Sequence, residues 1–241
     1  MNTVTSNQNY SKKHSMKKYI IGIIIPLLAF TVNAQRVIEK QITVKPTTSI
    51  DLKLDFADSI QIKQSKDNSV KIKVTVNIND NLHNDKYELI TNEGIEILRV
   101  SAKIHDMKSL RIPCKNHIGS NYDYHDGECL TMDISYVIEV PSIANLKIET
   151  ISGDIIIENA QSSMTINSIS GFIDICISTK ANSDLRIETV TGGVYTDHEF
   201  NKVKDECESN PGGTDASFSI GSGGNRIKLE TVSGDIFIRK I

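Results

Sequence analysis

The sequence predicts an all-β protein whose C-terminal half is a β-solenoid. Three observations carry this. Apolar and polar residues alternate with a period of two over most of the chain, as in Val70-Lys-Ile-Lys-Val-Thr-Val-Asn-Ile78. No stretch beyond the first 34 residues sustains a helical period. Four octapeptides then align without a gap: Ile148-Glu-Thr-Ile-Ser-Gly-Asp-Ile155, Ile166-Asn-Ser-Ile-Ser-Gly-Phe-Ile173, Ile187-Glu-Thr-Val-Thr-Gly-Gly-Val194 and Leu229-Glu-Thr-Val-Ser-Gly-Asp-Ile236.

The chain opens with a basic stretch, Lys12, Lys13, Lys17 and Lys18, followed by an apolar run from Tyr19 to Val32 and by Val32-Asn-Ala34. This order of charge, apolar core and small residues reads as a signal peptide over residues 1–34, with Met16 as an alternative start. Pro26 and the shortness of the run argue against a membrane anchor. Nothing downstream is apolar enough to span a bilayer. Residues 1–34 carry four lysines and no acid, so their removal takes the net charge from −3 to −7. An acidic chain with no basic stripe excludes nucleic acid as the partner.

Residues 35–140 alternate as strands, at Ile50-Asp-Leu-Lys-Leu54, Ile60-Gln-Ile62, Ile95-Glu-Ile97 and Ile134 to Val140. They form a β-sheet region that either continues the solenoid or stands as a sandwich ahead of it. With aromatics at 5% and no Trp, the core is aliphatic, and the Ile and Val that fill it suit a pleated surface.

From residue 141 the repeat sets the structure. Gly153, Gly171, Gly192 and Gly234 mark strand-to-strand corners, where glycine reaches backbone conformations closed to other residues. The aliphatic positions on either side of each corner are expected to point inward. Thr150, Ser168, Thr189 and Thr231 share a column of hydroxyls, stacked about 4.8 Å apart and placed to hydrogen-bond one another. The corners are separated by 18, 21 and 42 residues. The last interval predicts a hidden, degenerate coil together with an inserted loop at about 198–224.

Four cysteines, Cys114, Cys129, Cys176 and Cys207, lie beyond the signal. In an oxidising compartment an even count predicts disulfides. Four cysteines allow three pairings, and the sequence does not choose between them. The favoured one joins Cys176 to Cys207 and Cys114 to Cys129, the latter closing a short loop worth roughly 3 kcal/mol. That loop holds His117, Asp123, His125, Asp126 and Glu128, with His105 and Asp106 upstream, but their spacing matches no defined metal site. No cofactor is indicated. Asp154 and Asp235 share a repeat column, yet Phe172 and Gly193 occupy it in the other two repeats. The carboxylates are therefore expected to lie several coils apart, too far for glycoside hydrolysis. Ile156, Asp174, Tyr195 and Phe237 form an outward column. Its Ile156, Tyr195 and Phe237 make either a docking face or a surface covered by the 198–224 loop. The column Glu149, Asn167, Glu188 and Glu230 reads as a wetted face.

The repeats, together with Val140-Pro141 before the first and Phe218-Ser-Ile-Gly-Ser-Gly-Gly224 before the last, resemble a group of bacterial adhesin-like proteins of unknown function. That group is related to the head domains of trimeric-autotransporter-like surface proteins, and its chains typically end in Thr-Val-Ser-Gly-Asp-Ile, as Thr231 to Ile236 does here. The resemblance implies a β-solenoid outside the cytoplasm and transfers no catalytic residues. The cysteine-bounded insertions depart from the group's pattern. The expected function is an exported, non-enzymatic scaffold at the cell envelope, in the periplasm or on the surface, that meets an envelope protein or a surface glycan. A partner-binding sensory or regulatory protein is the alternative, and a carbohydrate-active β-helix enzyme a more distant one.

Overall fold

The structure is a computed structural model that describes residues 35–113, 122–125, 127–199, 201–202 and 213–241. The expected signal peptide lies outside the described residues, as do Cys114, His117, Asp126 and Cys207. Residues 33–241 cluster as one compact unit.

Among the described residues nineteen strands follow one another. They are β1 (Arg36–Thr43), β2 (Ser49–Lys53), β3 (Phe56–Ser65), β4 (Ser69–Ile78), β5 (Tyr87–Glu93), β6 (Ile97–Ile104), β7 (Ile112–Pro113), β8 (Tyr122–His125), β9 (Glu128–Pro141) and β10 (Leu146–Thr150). After these come β11 (Ser152–Ile157), β12 (Met164–Ser170), β13 (Ile173–Ile177), β14 (Ser183–Thr191), β15 (Val194–Thr196), β16 (Asn201–Lys202), β17 (Thr214–Ile220), β18 (Asn225–Ser233) and β19 (Ile236–Lys240). Among the described residues the only helical turns are two short 3₁₀ segments, Asn84–Lys86 and Met107–Leu110.

The strands form two sheets that share one core. The first runs β1-β4-β9-β3-β11-β13-β19-β15, with β7 and β8 paired antiparallel to β9 off this path, and the second β16-β17-β14-β18-β12-β10-β2-β6-β5. Each repeat contributes one strand to each sheet and turns between them at its glycine, so a repeat is a two-strand rung. Rungs pair in parallel with their neighbours. The stack extends into the N-terminal half: β2/β3 pairs in parallel with β10/β11, and β6 and β9 pair in parallel with β2 and β3. Antiparallel strands finish the ends, with β4 and β1 beyond β9, β5 beyond β6, and β17 and β16 beyond β14.

Alternation explains the core. Ile148, Ile166, Leu229 and Ile187 lie in one inward column, and Ile155, Ile173 and Ile236 in another, all essentially inaccessible to solvent. A single rung has no second layer to cover these side chains, so burial is shared between rungs.

The rung order corrects the expectation of a hidden coil. The interval between Gly192 and Gly234 holds β17, which runs antiparallel to β14 at the stack edge, and β16, which runs antiparallel to β17. The final rung, β18/β19, then inserts between β12/β13 and β14/β15. The four glycines therefore stack as 153, 171, 234, 192. Gly171 has φ +105°, and a Cβ there would lie 2.4 Å from the Gly153 carbonyl oxygen. The corner backbones thus approach one another more closely than any side chain permits.

Candidate functional site

At each corner the strand alternation continues through the hydroxyl, and this overturns the expected orientation. Thr150, Ser168, Thr189 and Thr231 are buried. The aliphatic residues that follow point out: Ile151 is 44% exposed, Ile169 52%, Val232 48% and Val190 57%. Strict period two from Ile148 already places Thr150 inside and Ile151 outside, so this signal was present in the sequence.

The buried hydroxyls do not bond one another. Thr150 Oγ1 lies 2.7 Å from the Leu54 carbonyl oxygen and 2.6 Å from that of Ser152. Ser168 Oγ donates to the Ser170 carbonyl at 2.9 Å, and Thr189 Oγ1 to that of Gly234 at 3.1 Å. Thr231 Oγ1 is buried without a partner. The column serves the corner carbonyls, because a sharp turn leaves these without ladder partners.

Outside the corners, the exposed aliphatics make a continuous ridge, Ile151–Ile169–Val232–Val190. The polar column Glu149–Asn167–Glu230–Glu188 runs beside it in register. Between ridge and column lies a groove of about 490 Å³, which Lys53 and Asp55 also line. Its acids are partly compensated: Lys147 Nζ meets Glu149 at 2.6 Å and Lys228 Nζ meets Glu230 at 2.5 Å. Glu188 lies directly beside Glu230 on one side and Asp215 on the other.

The opposite sheet carries the expected docking column, in the order Ile156, Asp174, Phe237, Tyr195. Asp174 separates Ile156 from the aromatics. Tyr195 stacks on Phe237 with ring centroids 5.2 Å apart and planes 17° apart, and Phe172 meets Phe237 edge-on at 6.1 Å. Arg239 places its guanidinium 5.4 Å from the Phe237 centroid, and its Nε donates to Asp174 at 2.8 and 2.9 Å. That contact raises the Arg239 pKa further. Burial, then Asp174, pushes the Cys176 thiol up.

The remaining candidates separate. Asp154 and Asp235 lie two rungs apart, with only Phe172 between them, which is closer than expected. Each is committed to the backbone: Asp154 Oδ1 accepts from the Phe172 N–H at 3.2 Å and Asp235 Oδ1 from the Gly193 N–H at 2.7 Å. Cys176 is a free, half-buried thiol, so the expected Cys176–Cys207 disulfide is not formed. The reason is topological. Cys176 sits on the outer face of the first sheet, in β13, while the described strands that flank position 207 in sequence, β16 and β17, both belong to the second. Cys129 is buried and disulfide-bonded, and Cys114, its expected partner, lies outside the described residues. His105 pairs with Glu88 at 2.7 Å, and among the described residues no three His, Cys, Asp or Glu side chains cluster to hold a metal. No described helix is long and apolar enough to cross a membrane.

Comparison with known proteins places this architecture. A solved structure of a "putative cell adhesion protein" from Clostridium sporogenes superposes with a TM-score of 0.51 at 11% identity, over 86% of this chain and 100% of that one. A "putative adhesin" from Bacteroides fragilis aligns over 87% and 99% of the two chains at 11% identity with a TM-score of 0.25. No curated protein matches. Residues 79–239, well over half the chain and all four glycine rungs, match the family described as Toastrack DUF4097. The stack of glycine-cornered rungs and this match lead to one conclusion: the chain belongs to the Toastrack DUF4097 family.

Proposed function

We propose that this is an exported, non-enzymatic, adhesin-like protein of the cell envelope that holds a macromolecular partner against its corner ridge. The observation that carries the reading is the ridge itself. Four β-branched side chains, one from every repeat, stand half-exposed in one unbroken column although the core does not need them. Contiguous apolar surface on a soluble protein marks contact with something else. The groove beside it adds polar groups in register, which suits an elongated partner lying along the stack. The likeness to adhesin-like structures supports the fold and agrees with this role.

The test replaces Ile151, Ile169 and Val232 together by Thr, which keeps the β-branch and removes the apolar ridge. Melting temperature should hardly move, since exposed positions change stability by only about 0.5 kcal/mol each. Beads coated with the purified protein should bind cells of the organism that makes it, and the triple variant should lose most of that binding. Undiminished binding by a folded triple variant would refute the reading.

A further inference from the structure

The aromatic cluster on the first sheet lies on the opposite face from the ridge and needs its own account. Aromatic residues are scarce in this chain, yet three rings, Phe172, Phe237 and Tyr195, meet on one outward patch beside Arg239 and Asp174. None of them serves the core. Tyr195 is 54% exposed. It belongs to β15, the end strand of that sheet, which pairs only with β19 among the described strands. One ring face rests on Phe237, so the other is turned toward the end of the stack.

The ring is held in place. Gly193 lies directly beneath it: a Cβ there would come within 2.7 Å of the Tyr195 hydroxyl. Phe237 backs the ring, Phe172 braces Phe237, and the Arg239 guanidinium sits against the same group. The polar rim is fixed as well. Arg239 uses Nε on Asp174, which leaves its terminal Nη groups as donors, and Asp197, the rung neighbour of Arg239, is anchored through Oδ1 by the Lys240 N–H at 2.8 Å.

We propose that this cluster is a carbohydrate-binding subsite for β-linked, gluco-configured oligosaccharides. The chemistry selects the ligand. A pyranose with all hydroxyls equatorial presents a face of axial C–H groups and an edge of hydroxyls. A rigid, exposed ring matches the face through dispersion and its negative π surface. Paired carboxylate and guanidinium groups match the edge, donating to and accepting from hydroxyls. Because Arg239 and Asp174 neutralise each other, the rim offers hydrogen bonds with little net charge, which fits a neutral sugar better than an ion. An axial hydroxyl would break the C–H face, so mannose-type sugars should bind poorly.

The test titrates the purified protein with chitohexaose, cellohexaose and α-linked mannohexaose, following saturation transfer to the sugar by NMR and affinity by calorimetry. Binding is expected for the two β-linked hexamers. Tyr195→Ala should weaken it by roughly tenfold, the upper range for one aromatic contact, while Tyr195→Phe should retain it. Asp174→Asn should weaken it without lowering the melting temperature appreciably. Absence of transfer to both β-linked hexamers would overturn the proposal, as would binding indifferent to Tyr195→Ala or equally strong for mannohexaose. None of these outcomes touches the ridge, whose triple Thr variant leaves this face intact.

Discussion

The glycine rungs and the rung before them bury the same aliphatic columns but turn the corner by different means. In β10/β11 and its three relatives a buried hydroxyl precedes a glycine with unusual backbone. In β2/β3 the position opposite Thr150 is Leu54, fully buried. Phe56 and Ala57 replace the Ser-Gly pair, and the register with β11 slips between Ser152 and Asp154. One additional residue eases the turn, so neither a positive φ nor a carbonyl-capping hydroxyl is needed. The two forms still fit: the Leu54 carbonyl accepts from Thr150 Oγ1 and the Ala57 carbonyl from Ser152 Oγ of the next rung. Tight corners are therefore a property of the repeat half alone, and several measurements separate the halves.

The largest effect should come from the rung order. In a stack that followed the chain, deleting residues 225–241 would remove only the last rung. Here those residues join β14/β15 and β17 to the rest. Their loss removes Ile227, Leu229, Ile236 and Ile238 from the core. At roughly 2–5 kcal/mol each, this is comparable with the usual total stability of about 5–15 kcal/mol. The deleted protein should show no cooperative melt, and β14 and β17 should lose hydrogen-exchange protection first. A protein that keeps its melt would mean the rungs stack sequentially after all.

Glycine substitutions come next. Gly171→Ala places a methyl against the Gly153 carbonyl at a φ of +105° and should cost about 3 kcal/mol or more, combining strain with a clash that backbone must relieve. Gly127 has φ +83° but open space around it, so Gly127→Ala should cost only about 1 kcal/mol. Thermal melts of the two variants measure the difference. Equal shifts would show that conformation, and not the close approach of corners, is what the repeat glycines supply.

Much of this was legible in the sequence. The octapeptides locate the corners, and alternation locates Ile148, Ile155 and their equivalents in the core. Three things were not. Leu229 to Ile236 is nearly identical to Ile148 to Ile155, so its pattern fits any slot in the stack and carries no information on which slot it takes. Ile151 was misplaced because an aliphatic residue beside a turn resembles core until the period is followed strictly through Thr150. The outward column of Tyr195 and Phe237 was read from the repeat, but Phe172's place against it was not, nor that Tyr195 neighbours Phe237 directly and Ile156 stands apart, because both follow from the rung order.

Alkaline pH should act on the N-terminal half. Tyr87 and Tyr136 meet in the core with hydroxyl oxygens 3.0 Å apart. Burial pushes Tyr87 up to about 12 and Tyr136 higher still. The unfolded chain begins to release these protons near pH 10 while the folded chain holds them. Stability is therefore complete below about pH 10 and falls as pH rises toward 12, by roughly 2–3 kcal/mol for Tyr87. Replacing both residues by Phe removes the pair with little change at neutral pH and should flatten this alkaline limb. Hydrogen exchange at pH 11 should show opening around β5 and β9 before the glycine rungs.

The smallest effect is the most discriminating for the corners. If the buried hydroxyls formed a chain along the stack, removing any one should weaken the whole column alike. The geometry assigns each a separate task instead. Thr150 caps the corner carbonyls of Leu54 and Ser152, so Thr150→Val should cost about 1–3 kcal/mol by leaving buried acceptors unpaired. Thr231 Oγ1 has no partner, and its burial already carries a desolvation cost. Thr231→Val keeps the shape and removes that cost, so it should leave the melting temperature unchanged or raise it, by up to about 1 kcal/mol. Equal destabilisation by the two would restore the hydroxyl chain. Opposite signs would establish that a column shared in sequence is divided in function, with each hydroxyl answering to its own corner.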